Sequence, residues 1–564
     1  MIFPNEPEKA AEYAKKMSSI SHDNNGVYGG QFIASMISQA FGKEKILNII
    51  EKSLDIIKSD SEYAEMVKDI VNFYKHYPNN WRKCLSYVKN NYNYTNYLGK
   101  VPIIPNGAII ILALLYSNGN FSKGINIANM CGWDTDCNVG NVGTIIGVIV
   151  GVDGIKKKWK TPINDFVCCS SLIGSLNILD IPYLATYTAK LSYKIHKENP
   201  PSRWTEILDK TNRYYHFEFP DSTHAFKLED KKNNNCKIEN TSIKSKTGLR
   251  SLKLDLYNIE ERKSYKLFNK TYYYPDDFED SRYDPAFSPV FYPGQSIKAS
   301  IFLDEDDTIS VKARLFIADS IKELHYFNNE IILKNKSWNL LKFKVPKLTN
   351  ICIDKIGIEI IPLNTNKKNK LTIFIDDIEL FGLPNYKINF NENMIEKWNF
   401  QHEEIKQFTY LRGSWSIVQD KLSGSGYGEP AEIYTGNINW SDYIYTAKIV
   451  PKIGNYHNIN FRVKGGILSY AVGLAADNKL KLYKKNKEYK TLKSIDYNWL
   501  IDKEYNFKVV VNDNIIEVFI NGSKRFDFKD NVNPILHGQI GFSNLKGSRT
   551  LYKGYSIKGL KKHI

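Results

Sequence analysis

Two carboxylates stand one residue apart in the segment CGWDTDCNVGNVGTIIGVIVG, which spans residues 131–151. Asp134 and Asp136 lie in apolar surroundings, where neighbouring ionised carboxylates repel each other unless a cation relieves the repulsion. Because the donors are oxygens, Mg²⁺ is favoured over zinc, and Cys137 is a poor Mg²⁺ ligand that we expect to be packed. The alternative is that one aspartate only caps the helix that follows.

Glycines punctuate the stretch that follows the two aspartates. Gly140, Gly143, Gly147 and Gly151 recur every three or four residues. On a helix this spacing places them on one side and lets another backbone approach closely. We therefore predict a buried, tightly packed helix, with the aspartates in the loop that enters it, near the positive end of its dipole.

The N-terminal third has the pattern of an all-α domain, which we predict to cover residues 1–198. Apolar residues recur at helical spacing up to about His196. One predicted helix face consists of Phe32, Ile33, Met36, Ile37, Ala40 and Phe41. Pro200 and Pro201 end this region because neither proline can continue a helix.

The rest of the chain has the pattern of two all-β domains. From Tyr214 onwards, short alternating runs such as SIKASIFL and LTIFIDDIEL are separated by Asn, Asp, Gly and Pro. This pattern predicts a β-sandwich over 212–386 and a second sandwich or jelly roll over 387–564. In the second, KVVVNDNIIEVFINGSKRF predicts a hairpin followed by a tight turn at Asn521-Gly522.

Composition excludes several classes of protein. The net charge of +16 is scattered along the chain, and no clustered basic stripe indicates specific nucleic-acid binding. The seven cysteines form no CxxC pair, so we expect free thiols. The N-terminus has no apolar signal core, and the apolar runs at 107–116 and 139–152 are too short or interrupted to span a bilayer. This N-terminus predicts a cytoplasmic protein, and secretion follows if an upstream segment with a signal is missing.

The motif GWDTDCNVGNVGTIIGVIVG resembles the C-terminal metal motif of the ADP-ribosylglycohydrolase family. The stretches EPEKAAEYAKKMSSISHDNNGVYGGQFIASMISQAF and VPIIPNGAIIILALLYSNGNFSKGINIANMCGWDTD resemble that family's His-containing loop and its helical approach to the motif. The resemblance covers roughly residues 1 to 195. It implies an all-α fold with two Mg²⁺ ions that hydrolyses glycosidic bonds at ADP-ribose or related glycosides.

The resemblance also implies roles for individual residues. Asp134 and Asp136 match metal ligands, His22 matches the substrate-side histidine, and Cys137 replaces a threonine that is commoner in the family. Family members open with a Thr-Asp-Asp type motif that supplies the other ligands, and this chain begins after that segment. We therefore expect an N-terminally incomplete domain, and the general acid cannot be named.

The two β regions resemble carbohydrate-associated sandwiches. The first is similar to galactose-binding-like or carbohydrate-binding modules, and the second to concanavalin-like (laminin-G-like) jelly rolls, which implies a glycan or glycoside ligand. Asp376 and Asp377 are candidates for a structural Ca²⁺ site, or one of them faces solvent at a strand end. Four aromatic residues are candidates for stacking on sugars, although core packing is favoured for each: Trp415, Trp440, Tyr470 and Trp499.

Three hypotheses of function follow. The first is a Mg²⁺-dependent hydrolase of glycosidic bonds with an ADP-ribosyl or related glycoside substrate, inactive if the chain is truncated. The second is a non-catalytic carbohydrate-binding protein that retains the α domain as a scaffold. The third, a DNA-binding protein, depends on net charge alone and predicts steeply salt-dependent duplex binding.

Overall fold

The computed structural model describes residues 1–229, 235–278, 285–306, 309–364, 368–398 and 403–560. The chain forms two compact units. The helical unit comprises Met1–Ile163 and Ala185–Pro201, and the β unit comprises Asn164–Leu184 and Ser202–Ile564. Helices come first and sheets afterwards, which confirms the predicted fold class. Both predicted sandwich regions lie within the β unit.

The helices concentrate in the first third of the chain. They are α1 (Pro7–Ser18), α2 (Asn24–Ala40), α3 (Ile46–Leu54), α4 (Glu62–His76), α5 (Trp81–Asn91), α6 (Ile103–Ser117), α7 (Phe121–Cys131), α8 (Thr135–Val150), α9 (Lys157–Ile163), α10 (Ile181–His196) and α11 (Ser202–Asp209). Short 3₁₀ turns occur at Tyr94–Asn96, Val152–Gly154, Gly174–Leu176, Pro275–Asp277 and Glu392–Met394. None of the described helices combines the length and apolarity that a bilayer-crossing segment needs.

Helix α6 is the centre of the helical unit. Its sequence, IIPNGAIIILALLYS, is apolar on every side, and every residue from Ile104 to Ser117 is buried. A helix that is apolar all round is stable in water only when other helices cover it. Helices α2, α4, α5, α7 and α8 all pack against α6. The helix ends at Asn118, whose left-handed backbone (φ 51°) stops further helical hydrogen bonding.

The predicted approach of another backbone to the glycine side of α8 is wrong, although side chains of α7 pack there and a Cβ at Gly143 would lie 3.1 Å from Cδ1 of Ile125. A Cβ added to Gly140 would meet no atom within 4 Å, and the glycines at 143 and 147 face side chains rather than another backbone. The buried face of α8 carries instead Asn138, Val142, Ile145 and Ile146. Because Val142 and Ile146 face α7, a small residue is needed on α7, where a Cβ at Gly124 would lie 2.5 Å from Cδ1 of Ile146 and 3.2 Å from Cγ1 of Val142.

Two substitutions distinguish the tight packing at Gly124 from the open space at Gly140. Gly124→Val forces atoms into the α7–α8 contact, and we expect it to destabilise the helical unit by about 2 kcal/mol or more. Gly140→Ala adds a methyl group in open space within a helix, and we expect it to stabilise by about 0.5–1 kcal/mol. The thermal midpoint of the circular dichroism signal at 222 nm measures both effects. Equal midpoints for the two variants would contradict this packing.

The last turns of α10 hold the start of the chain. His196 Nε2 contacts the Glu6 carboxylate, and Ser192 Oγ donates to the Ile2 carbonyl at 2.7 Å. The Phe3 ring is 4% exposed and lies 5.6 Å from the His196 ring. Hydrogen bonds from Lys9 and His196 lower the pKa of Glu6. A backbone hydrogen bond with Ser192 and the contact with Glu6 raise the pKa of His196.

The contact between Glu6 and His196 predicts a pH dependence for the helical unit. The lowered pKa of Glu6 gives stability above its ordinary value of 4.5, which is lost as the pH falls through the folded pKa. The raised pKa of His196 gives stability below 6.5, which is lost as the pH rises through its folded pKa. We expect His196→Gln to remove the decrease in thermal midpoint above pH 6.5 at low salt. An unchanged midpoint profile in this variant would refute the assignment.

In the part of the chain that the structure describes, the first sandwich consists of two six-stranded sheets. One contains, in order, β10 (Leu324–Phe327), β9 (Ser310–Asp319), β14 (Lys355–Asn364), β7 (Tyr265–Lys270) and β4 (Lys227–Leu228), with β11 (Ile331–Ile332) on β9. The other contains β12 (Trp338–Lys344), β8 (Ser296–Leu303), β15 (Lys370–Phe381), β6 (Ser251–Tyr257) and β5 (Cys236–Thr241), with β3 (Arg213–Tyr215) on β15. Alternating apolar residues of both sheets form one core.

Among the described residues, the second sandwich has one sheet of nine strands and one of seven. The first contains β13 (Leu348–Thr349), β16 (Asn385–Asn389), β32 (Arg549–Gly559), β23 (Tyr443–Ile453), β28 (Tyr505–Asn512), β29 (Ile515–Ile520) and β30 (Ser523–Lys529), with β20 (Ser414–Val418) and β21 (Lys421–Ser425). The second contains β19 (Thr409–Arg412), β22 (Ala431–Thr435), β31 (Gln539–Asn544), β24 (His457–Val463), β25 (Leu468–Ala475), β26 (Lys479–Asn486) and β27 (Glu488–Asp496). Two small ribbons pair β1 (Phe166–Cys168) with β2 (Ile178–Asp180), and β17 (Ile395–Lys397) with β18 (Glu403–Ile405).

The predicted hairpin and tight turn are confirmed. Strands β28 and β29 pair in antiparallel register with Asn512 opposite Ile515. Strands β29 and β30 turn at Asn521 and Gly522, with φ values of 51° and 85°. Two consecutive positive φ angles match the twist of the flanking strands, which is why Asn-Gly is favoured there.

Candidate metal centre

The two predicted ligands lie at the N-terminus of α8. Asp134 is the N-cap residue and Asp136 lies in the first turn. The Asp134 side chain makes no capping hydrogen bond, whereas Ser61, Asn80 and Asn120 cap α4, α5 and α7 through their side chains. The alternative that Asp134 serves only as a cap is therefore not supported by its geometry.

Three side chains converge at this helix end. One ligand atom from each of Asp134, Asp136 and Cys137 lies within 4.8 Å of the other two. Asp136 and Cys137 are exposed, and Asp134 is partly buried. Two carboxylates on a solvent-accessible loop fit Mg²⁺, which is usually held by one or two carboxylates and keeps several waters.

Cys137 contributes to this group as a hydrogen-bond donor. Its hydrogen bond with Asp134, partial burial and the two nearby carboxylates raise the pKa of the Cys137 thiol. A metal-binding cysteine needs the thiolate form. A protonated thiol is a poor Mg²⁺ ligand. The expectation that Cys137 is packed is wrong, because the residue is exposed.

The loop that carries Asp134 has an unusual backbone. Gly132 has φ 78° and ψ −154°, a region that is almost restricted to glycine. Trp133 follows with φ 62°, in the left-handed region. The Tyr94 ring stacks on the Trp133 indole with centroids 4.8 Å apart, and this contact holds the loop in place.

A buried hydrogen-bond network lies beneath the same loop. Asn106 Oδ1 accepts from the Tyr94 hydroxyl at 2.9 Å and from Asn138 Nδ2 at 3.0 Å. Asn106 Nδ2 donates to the Pro102 carbonyl at 2.9 Å. Sequence reasoning missed Tyr94, Asn106 and Asn138. The available signal was the presence of polar amides within apolar helices, because buried amides require partners.

His22 lies in the loop between α1 and α2. Its Nδ1 is 2.8 Å from Ser21 Oγ, and its backbone N–H donates to the Ser18 carbonyl at 2.9 Å. A Cβ added to Gly26 would lie 2.9 Å from His22 Cβ, so the glycine at 26 makes room for the histidine. Among the described residues, the ligand group at α8 does not include His22. Its substrate role stays a prediction.

Comparison with known protein families decides the relationship of this helical region. Residues 1–183 match the model of the ADP-ribosylglycohydrolase family. This region carries an ADP-ribosylglycohydrolase domain. The match includes His22, Asp134 and Asp136, and it suggests glycosyl hydrolase activity. No curated protein matches the chain.

Solved structures similar to this chain are β proteins with low overall similarity. A carbohydrate-binding module, CBM66, from Bacillus subtilis has 18% identity and a TM-score of 0.24, covering 26% of this chain and 94% of its own. The N-terminal CBM22 tandem domain from Paenibacillus barcinonensis has 9% identity and a TM-score of 0.23, covering 62% and 97%. The galectin LEC-6 from Caenorhabditis elegans has 14% identity and a TM-score of 0.19, covering 25% and 99%.

Outside the ADP-ribosylglycohydrolase domain, Asp376 and Asp377 are bonded to protein donors. Asp376 is fully buried and accepts from the backbone N–H groups of Lys246 at 2.7 Å and Thr247 at 3.2 Å. Burial, then the charge of Asp377, raises the pKa of Asp376 to about 7. Asp377 accepts from the hydroxyls of Tyr214 at 2.5 Å and Thr247 at 2.6 Å. These contacts tie the 246–247 loop to β15, and Ca²⁺ binding there stays a prediction.

The four aromatic candidates pack against the core of the second sandwich. Trp440 and Tyr470 are 5% and 1% exposed. Trp415 and Trp499 are partly buried against the same core, and their indole N–H groups donate to the carbonyls of Arg412 and Ala475. The preference for core packing over sugar stacking is confirmed for Trp440 and Tyr470.

Two variants test the support of the Asp134 loop in the ADP-ribosylglycohydrolase domain. Tyr94→Phe keeps the ring on Trp133 but removes one hydrogen bond to Asn106, and we expect a loss of about 1 kcal/mol in unfolding free energy. Tyr94→Ala also removes the stacked ring, and we expect about 2 kcal/mol more. Urea denaturation followed at 222 nm measures both losses. A Tyr94→Ala variant as stable as Tyr94→Phe would show that the stacked ring does not support the loop.

Proposed function

We propose that the ADP-ribosylglycohydrolase domain is a Mg²⁺-assisted hydrolase of glycosidic bonds, with an ADP-ribosyl group or a related glycoside as substrate. One observation carries the proposal. The Asp134 carboxylate, which makes no capping bond, converges with Asp136 at the N-terminus of α8 inside the matched region. Two carboxylates in this arrangement attract a hard cation, which relieves their mutual repulsion.

In this proposal Asp134 and Asp136 hold part of the coordination shell. When bound, Mg²⁺ would supply positive charge that orients the sugar hydroxyls and favours deprotonation of the water that attacks the anomeric carbon. The chain's own contribution is preorganisation. The Tyr94–Trp133 stack and the buried amides hold the loop before substrate arrives, so the carboxylates need little reorganisation. We propose that His22 contacts the substrate.

A non-catalytic carbohydrate-binding protein is the second candidate. The group described at α8 offers two carboxylates and a protonated thiol, which are fewer donors than a pair of Mg²⁺ ions requires. In this alternative the helical unit is a scaffold and the sandwiches bind glycan.

Calorimetric titration with MgCl₂ and hydrolysis assays on the full chain distinguish the two candidates. The substrates are ADP-ribosylarginine and 4-nitrophenyl glycosides, each with MgCl₂ or EDTA. We expect Asp134→Asn and Asp136→Asn each to weaken Mg²⁺ binding about ten-fold or more and to abolish Mg²⁺-stimulated turnover, because each removes an anionic ligand. Asp153→Asn, beyond the opposite end of α8, is the matched control and should leave both unchanged.

The measurements distinguish the two candidate functions. Mg²⁺ affinity that is the same in the wild type and in both ligand variants would refute the proposed metal site. Absent turnover, together with glycan binding that Asp134→Ala leaves unchanged, would favour the carbohydrate-binding protein.

A further inference from the structure

A cleft of about 520 Å³ opens within the β unit. Its walls come from the end of β9, from Tyr274–Asp276 in the first sandwich, and from the start of the second sandwich around β17 and β18. This volume is typical of sites for small molecules. The cleft lies in a different unit from the proposed metal site, so an inference about it does not depend on the hydrolase.

Glu396 is a buried carboxyl group in the wall of this cleft. It lies on β17 and is 6% exposed. Its Oε2 accepts from the Tyr272 hydroxyl at 2.9 Å. The backbone N–H of Gln407 donates to the Tyr272 oxygen at 3.0 Å, which directs the hydroxyl hydrogen of Tyr272 towards Glu396. One oxygen of the carboxyl group is therefore fixed by the protein.

The other oxygen of Glu396 has no such partner. Among the described residues, Oε1 is buried and makes no hydrogen bond. Tyr274 lines the same cleft and is 6% exposed. Its hydroxyl is also buried and makes no hydrogen bond with the described residues. Leaving a buried polar group unpaired costs about 1–3 kcal/mol. Two unpaired groups beside one cleft therefore point to a ligand that supplies their partners. Both residues line the cleft, but neither atom is exposed to it, so each would bond to a ligand there after its side chain turns towards the cleft.

The charges of the cleft favour a neutral ligand. Three acids and three lysines line it, so their formal charges balance: Asp276, Asp319, Glu396, Lys322, Lys397 and Lys406. Asn350, Asn393 and Gln407 add amide groups that both donate and accept. Among the described residues, the cleft contains no group of carboxylates close enough to hold a metal ion. Many mixed donors and acceptors without net charge are complementary to a polyhydroxylated molecule.

We propose that this cleft binds a neutral saccharide, with the free oxygen of Glu396 and the Tyr274 hydroxyl bonded to sugar hydroxyl groups. Sugar hydroxyls both donate and accept, so they satisfy either protonation state of the carboxyl group. Burial raises the pKa of Glu396 to about 7, so both states are present at neutral pH. The Ile395 side chain, which is partly exposed, provides apolar surface for the sugar's C–H groups.

Calorimetric titration of the full chain with sugars of matched shape tests the proposal. The neutral probes are glucose, galactose, xylose and cellobiose, and the charged probes are glucosamine and glucuronate. We expect at least one neutral probe to bind, and both charged probes to bind about ten-fold or more weakly than that probe.

Variants connect binding to the cleft. Glu396→Gln keeps an acceptor for Tyr272 but replaces the free carboxyl oxygen, and we expect about ten-fold weaker binding of the neutral probe. Asn393→Trp adds bulk at an exposed position of the rim, and we expect binding to be lost. The matched control is Glu403→Gln on the paired strand, where the side chain is 53% exposed, and it should bind as the wild type does.

Three outcomes would overturn the proposal: no neutral probe binds, a charged probe binds more tightly than every neutral one, or Asn393→Trp binds as the wild type does. The last comparison remains decisive if Glu396→Gln does not fold. Asp134→Asn should leave saccharide binding in the cleft unchanged, so failure here is distinguishable from failure of the hydrolase proposal.

Discussion

The position of the candidate metal centre within the helical unit depends on one backbone constraint, the reversal at Gly132 and Trp133 between α7 and α8. A side chain at 132 would clash with its own backbone at φ 78° and ψ −154°. With glycine there, three residues separate the last residue of α7 from the first of α8, and Asp134 falls at the N-cap. Its carboxylate is then presented beside Asp136 and the thiol of Cys137. A different conformation at 132 would redirect α8 and move these three groups together relative to α7.

This constrained loop is supported by buried polar contacts rather than by apolar packing alone. Tyr94 contributes its ring to Trp133 and its hydroxyl to Asn106, so one side chain joins the loop surface to the centre of the helical unit. Asn138 reaches the same acceptor from α8. Hydrogen bonds in a low-dielectric interior are strong and directional, so the network favours one loop position over its alternatives.

The fold class was predictable from the sequence because local patterns determine it. Helical periodicity and alternating runs mark the helices and strands, and Asn521-Gly522 specifies its turn directly. The placement of the aspartates at a helix start followed from the glycines and apolar residues after them. The packing partner of α8 was not predictable. A glycine repeat shows where small residues lie, but the bulk of Val142 and Ile146 places the close contact at Gly124.

Contacts between distant segments were also beyond local patterns. Tyr272 and Glu396 are 124 positions apart, and only the meeting of the two sandwiches brings them together. Nothing in the sequence around Glu396 distinguishes it from a surface residue, because a strand of three residues shows too little alternation to assign a buried face. Its burial becomes apparent only after the hairpin of β17 and β18 is placed beside Tyr272.

The amide pair beneath the metal loop has a consequence for the evolution of this domain. Asn106 and Asn138 lie 32 positions apart but share one hydrogen bond in a buried site. Loss of Asn106 leaves the Asn138 amide without this acceptor, whereas loss of Asn138 leaves Asn106 bonded to the Tyr94 hydroxyl and the Pro102 carbonyl. Related sequences should therefore tolerate change at position 138 more readily than at 106, and a lineage that replaces Asn106 also removes the acceptor of the Tyr94 hydroxyl beneath the Asp134 loop.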